Sequence, residues 1–147
     1  MNRKSSRNIG IPMLVVAAVL LLSLLMMLSG CGKREPEPEL TTQELHELYP
    51  GDIDNVDYIE IRDGSTGELV RIKDQAVIRD WVSEVRHFEF IPDPNQEDRV
   101  GYLYAVTLYE HEEAKLSFTP SSTNGHYYIH NEELKLKIKE LFESMGG

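Results

Sequence analysis

The chain has 147 residues, with 25 acidic side chains against 15 basic ones and a formal net charge of −10. A surface this negative repels the nucleic-acid backbone and excludes a nucleic-acid partner. A single cysteine excludes an internal disulfide, and the roughly 100 residues beyond the apolar N-terminal run suit one domain with one core.

Arg3, Lys4 and Arg7 precede residues 11–28, an uncharged run broken only by Pro12 and Ser23. A cleaved leader has an apolar core of about 7–15 residues and a spanning helix needs about 17–25, so length alone leaves both open. Leu28, Ser29 and Gly30 stand immediately before Cys31. One apolar and two small residues before a cysteine, behind a basic start, resemble the signal of a bacterial lipoprotein. The resemblance implies a diacylglyceryl group on Cys31 and cleavage just before it, with an uncleaved membrane anchor as the alternative. In either case the basic start stays inside and the rest faces outward. Two acyl chains anchor stably where one binds only marginally. An acylated Cys31 is neither a nucleophile nor a metal ligand. Loss of residues 1–30 removes three basic and no acidic side chains, so the mature charge is −13.

Residues 32–40 (GKREPEPEL) form a tether: alternating prolines favour extended polyproline geometry and the glutamates repel one another. At about 3.1 Å per residue they span some 25 Å. Residues 41–49 (TTQELHELY) predict a short helix capped by Thr41 or Thr42, with Leu45 and Leu48 on one face. Pro50 and Gly51 stop it. It either packs on the domain or belongs to the stalk.

The domain is expected over 53–147, after a leader at 1–30 and a tether at 31–52. Residues 56–62 and 68–73 predict a hairpin around 63–67 (DGSTG), with Val70 and Ile72 on one face and Leu69, Arg71 and Lys73 on the other. Residues 74–87 predict a helix capped by Asp74, whose stripe is Val77 or Ile78, Trp81, Val82 and Val85. Trp81 reads as its core anchor. Residues 88–91 form a short strand and 92–99 a polar loop. Residues 101–109 (GYLYAVTLY) are apolar on both faces, as in a central strand. A turn at 110–113 leads to a return strand at 114–119 with Leu116 and Phe118 inward. Residues 120–125 form a loop whose Asn124-Gly125 suits a tight turn. Residues 126–130 (HYYIH) predict the last strand. Asn131 caps a final helix with Leu134, Ile138, Leu141, Phe142 and Met145 buried.

The order β-β-α-(β)-β-β-β-α predicts an α+β fold: an antiparallel sheet of about five or six strands with two helices packed on one face. The other sheet face stays at least partly open. Behind a lipoprotein signal, this order resembles small Gram-positive lipoproteins of the YhfM-like kind. That resemblance implies a fold and an extracytoplasmic address and carries no activity to any residue.

No motif predicts a catalytic residue, a cofactor or a metal. Asp52, Asp54, Asn55 and Asp57 fail the calcium-loop pattern at three required places, since positions 5, 6 and 12 are Val56, Asp57 and Asp63. His126 and His130 on one strand would stand about 13 Å apart, too far for one ion unless the turn carrying His111 folds over them. No serine sits in G-x-S-x-G or S-x-x-K, and 64–67 is too short for a phosphate loop. Most of the seven tyrosines fall on predicted strands. Tyr58, Tyr128, His126 and His130 are expected to share the open face with Arg71 and Lys73, as a patch for a protein, peptide or wall polymer. The alternative is that these tyrosines merely cover a half-buried sheet. The expected role is a non-enzymatic, lipid-anchored binding module at the outer face of the cell membrane. The alternative roles are an accessory subunit of a membrane or envelope complex and, less favoured, an enzyme.

Overall fold

The computed structural model describes residues 39–146. The leader, Cys31 and residues 32–38 lie outside the described residues. The elements are β1 (Gln43–Glu44), α1 (Leu45–Leu48), a 3-10 turn (Ile53–Asn55), β2 (Tyr58–Asp63), β3 (Leu69–Ile72) and α2 (Gln75–Val85). There follow β4 (Glu89–Phe90), β5 (Tyr104–Glu110), β6 (Glu113–Thr119), β7 (Ser122–Thr123), β8 (His126–Tyr127) and α3 (Glu132–Met145). The architecture is α+β, with a six-stranded antiparallel sheet in the order β3-β2-β5-β6-β7-β8 and a two-stranded sheet of β1 and β4.

Alternation along the strands sorts the large sheet into two faces. Ile59 and Ile61 pair across to Ile72 and Val70 on one side and to Leu108 and Val106 on the other. These join Leu116 and Phe118 in the core. The helices supply the opposing layer. Asp74 Oδ1 accepts from the Ala76 and Val77 N–H groups and starts α2, which buries Ile78, Trp81, Val82 and Val85. Asn131 Oδ1 accepts from the Leu134 N–H and starts α3, which buries Leu134, Ile138, Leu141 and Phe142. Trp81 lies between the helices and donates its indole N–H to the Lys137 carbonyl at 3.2 Å. Met145, expected in the buried stripe, is exposed in the last turn of α3. Among the described residues, no helix is long and apolar enough to cross a membrane.

Two regions depart from the sequence reading. The first is the beginning: the compact unit runs from Leu40, not Ile53. Leu45 is fully buried and Tyr49 nearly so, because β1 pairs with β4 and ties α1 to the core. No threonine caps α1; Glu47 reaches back to the Glu44 N–H at 2.8 Å. The second is the end of the sheet. Ser122-Thr123, read as loop, form β7, and Asn124-Gly125 make the tight turn into β8 with both residues at positive φ. The expected strand over 126–130 stops at Tyr127, and Tyr128 continues only as a single bridge to Pro92.

Candidate functional site

The sheet face away from the helices carries Tyr58, Glu60 and Arg62 from β2, Leu69 and Arg71 from β3, and Thr107 and Tyr109 from β5, by the same alternation that buries their neighbours. Its centre is Glu60. Tyr58 Oη donates to Glu60 Oε1 at 2.5 Å, Arg71 Nε donates to the same oxygen at 3.0 Å, and Tyr109 Oη donates to Glu60 Oε2 at 3.1 Å. Three donors on one carboxylate stabilise its charged form. The Tyr58 phenol leads in holding the Glu60 carboxyl below its ordinary range. The carboxylate acts back on its partners: burial first, and then this hydrogen bond, push the Tyr58 phenol up to about 12. Burial and Glu60 raise the Tyr109 phenol in the same way.

Lys73 places its ammonium 5.4 Å from the centre of the Tyr58 ring, within reach of a cation–π contact. No carboxylate lies within 4 Å of it among the described residues. Asp57, Tyr58, Arg71, Lys73 and Tyr109, together with His111 and Glu112 of the β5–β6 turn, line an open groove of about 520 Å³. His111 and Glu112 have φ of 51° and 67°. Left-handed backbone costs a residue with a side chain about 1–2 kcal/mol. A glycine turn would avoid that cost, and the Asp57 carboxylate accepting from the His111 N–H at 2.8 Å offsets part of it. A two-residue hairpin turn of this kind requires positive φ at both central positions, which asparagine and glycine adopt most readily.

A second groove of about 430 Å³ opens farther across the sheet, with Ser117, Thr119, Ser122 and Tyr127 on its wall. Arg99 lies over the Tyr127 ring at 5.0 Å. Gln96 brackets Tyr127, accepting from its N–H at 2.9 Å and donating to its carbonyl at 2.8 Å. The loop carrying these residues is seated by Gly64, whose N–H donates to the Leu103 carbonyl at 2.8 Å. A Cβ at Gly64 would stand 1.9 Å from the Tyr102 carbonyl oxygen, so only glycine allows this approach.

Of the six residues expected to share the open face, Tyr58, Arg71 and Lys73 meet there and the other three do not. Tyr128 is buried, with its ring edge-on to Phe90 at 5.4 Å. His126 pairs with Thr123, which pairs with Phe118, so these three project to the core side. His130 is exposed beyond the strand, 3.2 Å from Glu132. The correction is one of register: Thr119, Ser122 and Tyr127 occupy the open side, and a one-residue offset exchanges the faces. Sequence periodicity alone does not bring Glu60, Tyr109 or Tyr127 to this face as site residues. Glu60 is legible as a member of an alternating strand and Tyr109 as a member of an apolar one, but their convergence depends on the β2–β5 pairing. The acidic residues of 52–57 diverge: Asp52 accepts from the Asp54 N–H, Asp54 pairs with Arg86 and Asp57 accepts from His111.

The chain matches no protein-family model, no curated protein and no solved structure.

Proposed function

We propose that this protein is a lipoprotein anchored through a diacylglyceryl group on Cys31 at the outer face of the cell membrane. Its domain serves as a non-enzymatic binding module for a protein, peptide or wall polymer. The observation that supports this reading is the Glu60 network, which orders two tyrosines and an arginine, with Lys73 over the Tyr58 ring, beside a groove whose rim has two residues at positive φ. Tyrosine rings ordered before binding supply contact area at low entropic cost, and Lys73 is left to meet a carbonyl or anionic group of a ligand. Replacement of Cys31 with Ser is expected to abolish incorporation of labelled fatty acid, and retained label would overturn the anchor.

A second reading, an accessory subunit of an envelope complex, is favoured by a different surface. Val100 is fully exposed, and Tyr102, Leu103, Ile91 and Ile129 are each more than two-fifths exposed. Ile129 donates its N–H to the Ile91 carbonyl, so these two side by side offer apolar area to a partner. Charged substitutions at Ile91 and Ile129 are expected to release a stable complex partner under this reading and to leave ligand capture by the Tyr58 groove intact.

A further inference from the structure

We infer that Glu44, His46 and His87 form a binding site for one divalent transition-metal ion of the zinc type. The three side chains come from two distant stretches of chain. Glu44 and His46 stand two residues apart across the β1–α1 junction, and His87 follows α2. Backbone pairing holds the stretches together: Leu45 N–H to the Phe88 carbonyl at 3.0 Å, His46 N–H to the Arg86 carbonyl at 3.1 Å, and Glu44 opposite Glu89 in the β1–β4 ladder. Leu45 and Phe90, which flank the site, are fixed in the core. The ligand atoms are therefore positioned by rigid backbone rather than by a loose loop.

One potential ligand atom from each residue lies within 4.8 Å of the other two. His87 Nδ1 is 2.6 Å from Glu44 Oε2, and His46 Nδ1 is 3.2 Å from the same oxygen. Zinc bonds of about 2.0–2.2 Å at tetrahedral angles set ligand atoms roughly 3.3 Å apart. Admitting the ion requires the Glu44–His87 pair to open by about 0.7 Å. Glu44 Oε2 shares a hydrogen bond with His87 Nδ1, and His46 Nδ1 shares one with the Arg86 carbonyl at 3.2 Å. A bound cation replaces those protons, which is why binding at such a site releases protons. Two imidazoles and one carboxylate are a borderline donor set, suited to zinc and its neighbours rather than to calcium or magnesium. About a third of the Glu44 and His46 side chains and two-thirds of His87 face solvent, so the ion has an entry path and a fourth position open to water. An open fourth position makes the site exchangeable rather than a closed structural one. Arg86, which precedes His87, has its guanidinium engaged by Asp54 at 2.7 Å, which reduces its repulsion of a metal.

The test is titration of the full chain in detergent, without a polyhistidine tag, with cobalt(II) followed by displacement with zinc(II). One equivalent of cobalt with the visible absorption of a low-coordinate site, displaced by zinc, is expected. Replacement of His87 with Ala, which removes a mostly exposed side chain and leaves the fold intact by circular dichroism, should weaken binding at least about tenfold. Replacement of Glu44 with Gln should do the same. Absence of uptake by the unmodified chain, or affinity unchanged in both variants, would overturn the assignment. The latter result would place the metal outside this cluster.

Discussion

Tyr58 and Tyr109 are cross-strand partners whose rings lie 4.9 Å apart and whose hydroxyls donate to opposite oxygens of one carboxylate, that of Glu60. The arrangement converts two half-buried side chains into a fixed surface. Neither ring can reorient without giving up a charge-assisted hydrogen bond, a type worth about twice a neutral one. The groove beside them is ordered before anything binds.

The network has a signature in pH. Glu60 titrates below its ordinary 4.5 in the folded protein, so its stabilising contribution is complete above that value and is lost as pH falls through the lowered one. Tyr58 is raised from 10.0 to about 12, so its contribution is complete below pH 10 and is lost as pH rises towards about 12. Replacement of Glu60 with Gln is expected to bring the Tyr58 and Tyr109 phenols down. Tyr128, raised by burial alone, should not move. Phenolate absorbance in single-tyrosine replacements reads both.

Two tyrosine variants separate surface from core. Tyr58→Ala combined with Tyr109→Ala should remove ligand capture and cost about 1 kcal/mol per residue in stability. Tyr128→Ala empties a buried position beside Phe90 and should cost about 3–5 kcal/mol. Denaturant unfolding of the two variants orders them.

The β5–β6 turn should trade stability against binding. His111→Asn with Glu112→Gly gives the pair best suited to two left-handed residues in a two-residue hairpin. The double variant is expected to gain about 1 kcal/mol. It should lose affinity for the ligand, because both side chains line the groove. Unfolding and capture assays on the same preparation test both halves.

Leu45 tests where the domain begins. Its side chain is fully buried, so Leu45→Ala should cost about 2–5 kcal/mol. A change within about 0.5 kcal/mol, typical of a surface position, would return residues 41–49 to a stalk.

The parts of this fold legible in the sequence are those built from local periodicity. The β2–β3 hairpin, the Asp74 and Asn131 caps, the stripes of α2 and α3 and the apolar β5 all follow from spacing within one element. Features that depend on pairing between distant segments are not legible. β4 falls within the short strand expected over 88–91, but β1 is two residues long and only its pairing with β4 makes it a strand. The same pairing gathers Glu44, His46 and His87, whose separation of some forty residues hides them from any spacing rule. The face of Tyr128 is hidden from the sequence for a related reason. Alternation shows that His126 and Tyr128 share a side, but only the Phe118–Thr123–His126 pairing shows that this side is the core.

The central claim is that the open sheet face is the binding surface. It is tested most directly by a photo-reactive side chain placed at Ser117, on that face, and in a parallel strain at Glu133, on the exposed side of α3. The account predicts one dominant cross-linked species from Ser117, lost when Tyr58 and Tyr109 are replaced together and absent from Glu133. Equal capture from Glu133, or capture from Ser117 that survives loss of both tyrosines, would contradict it.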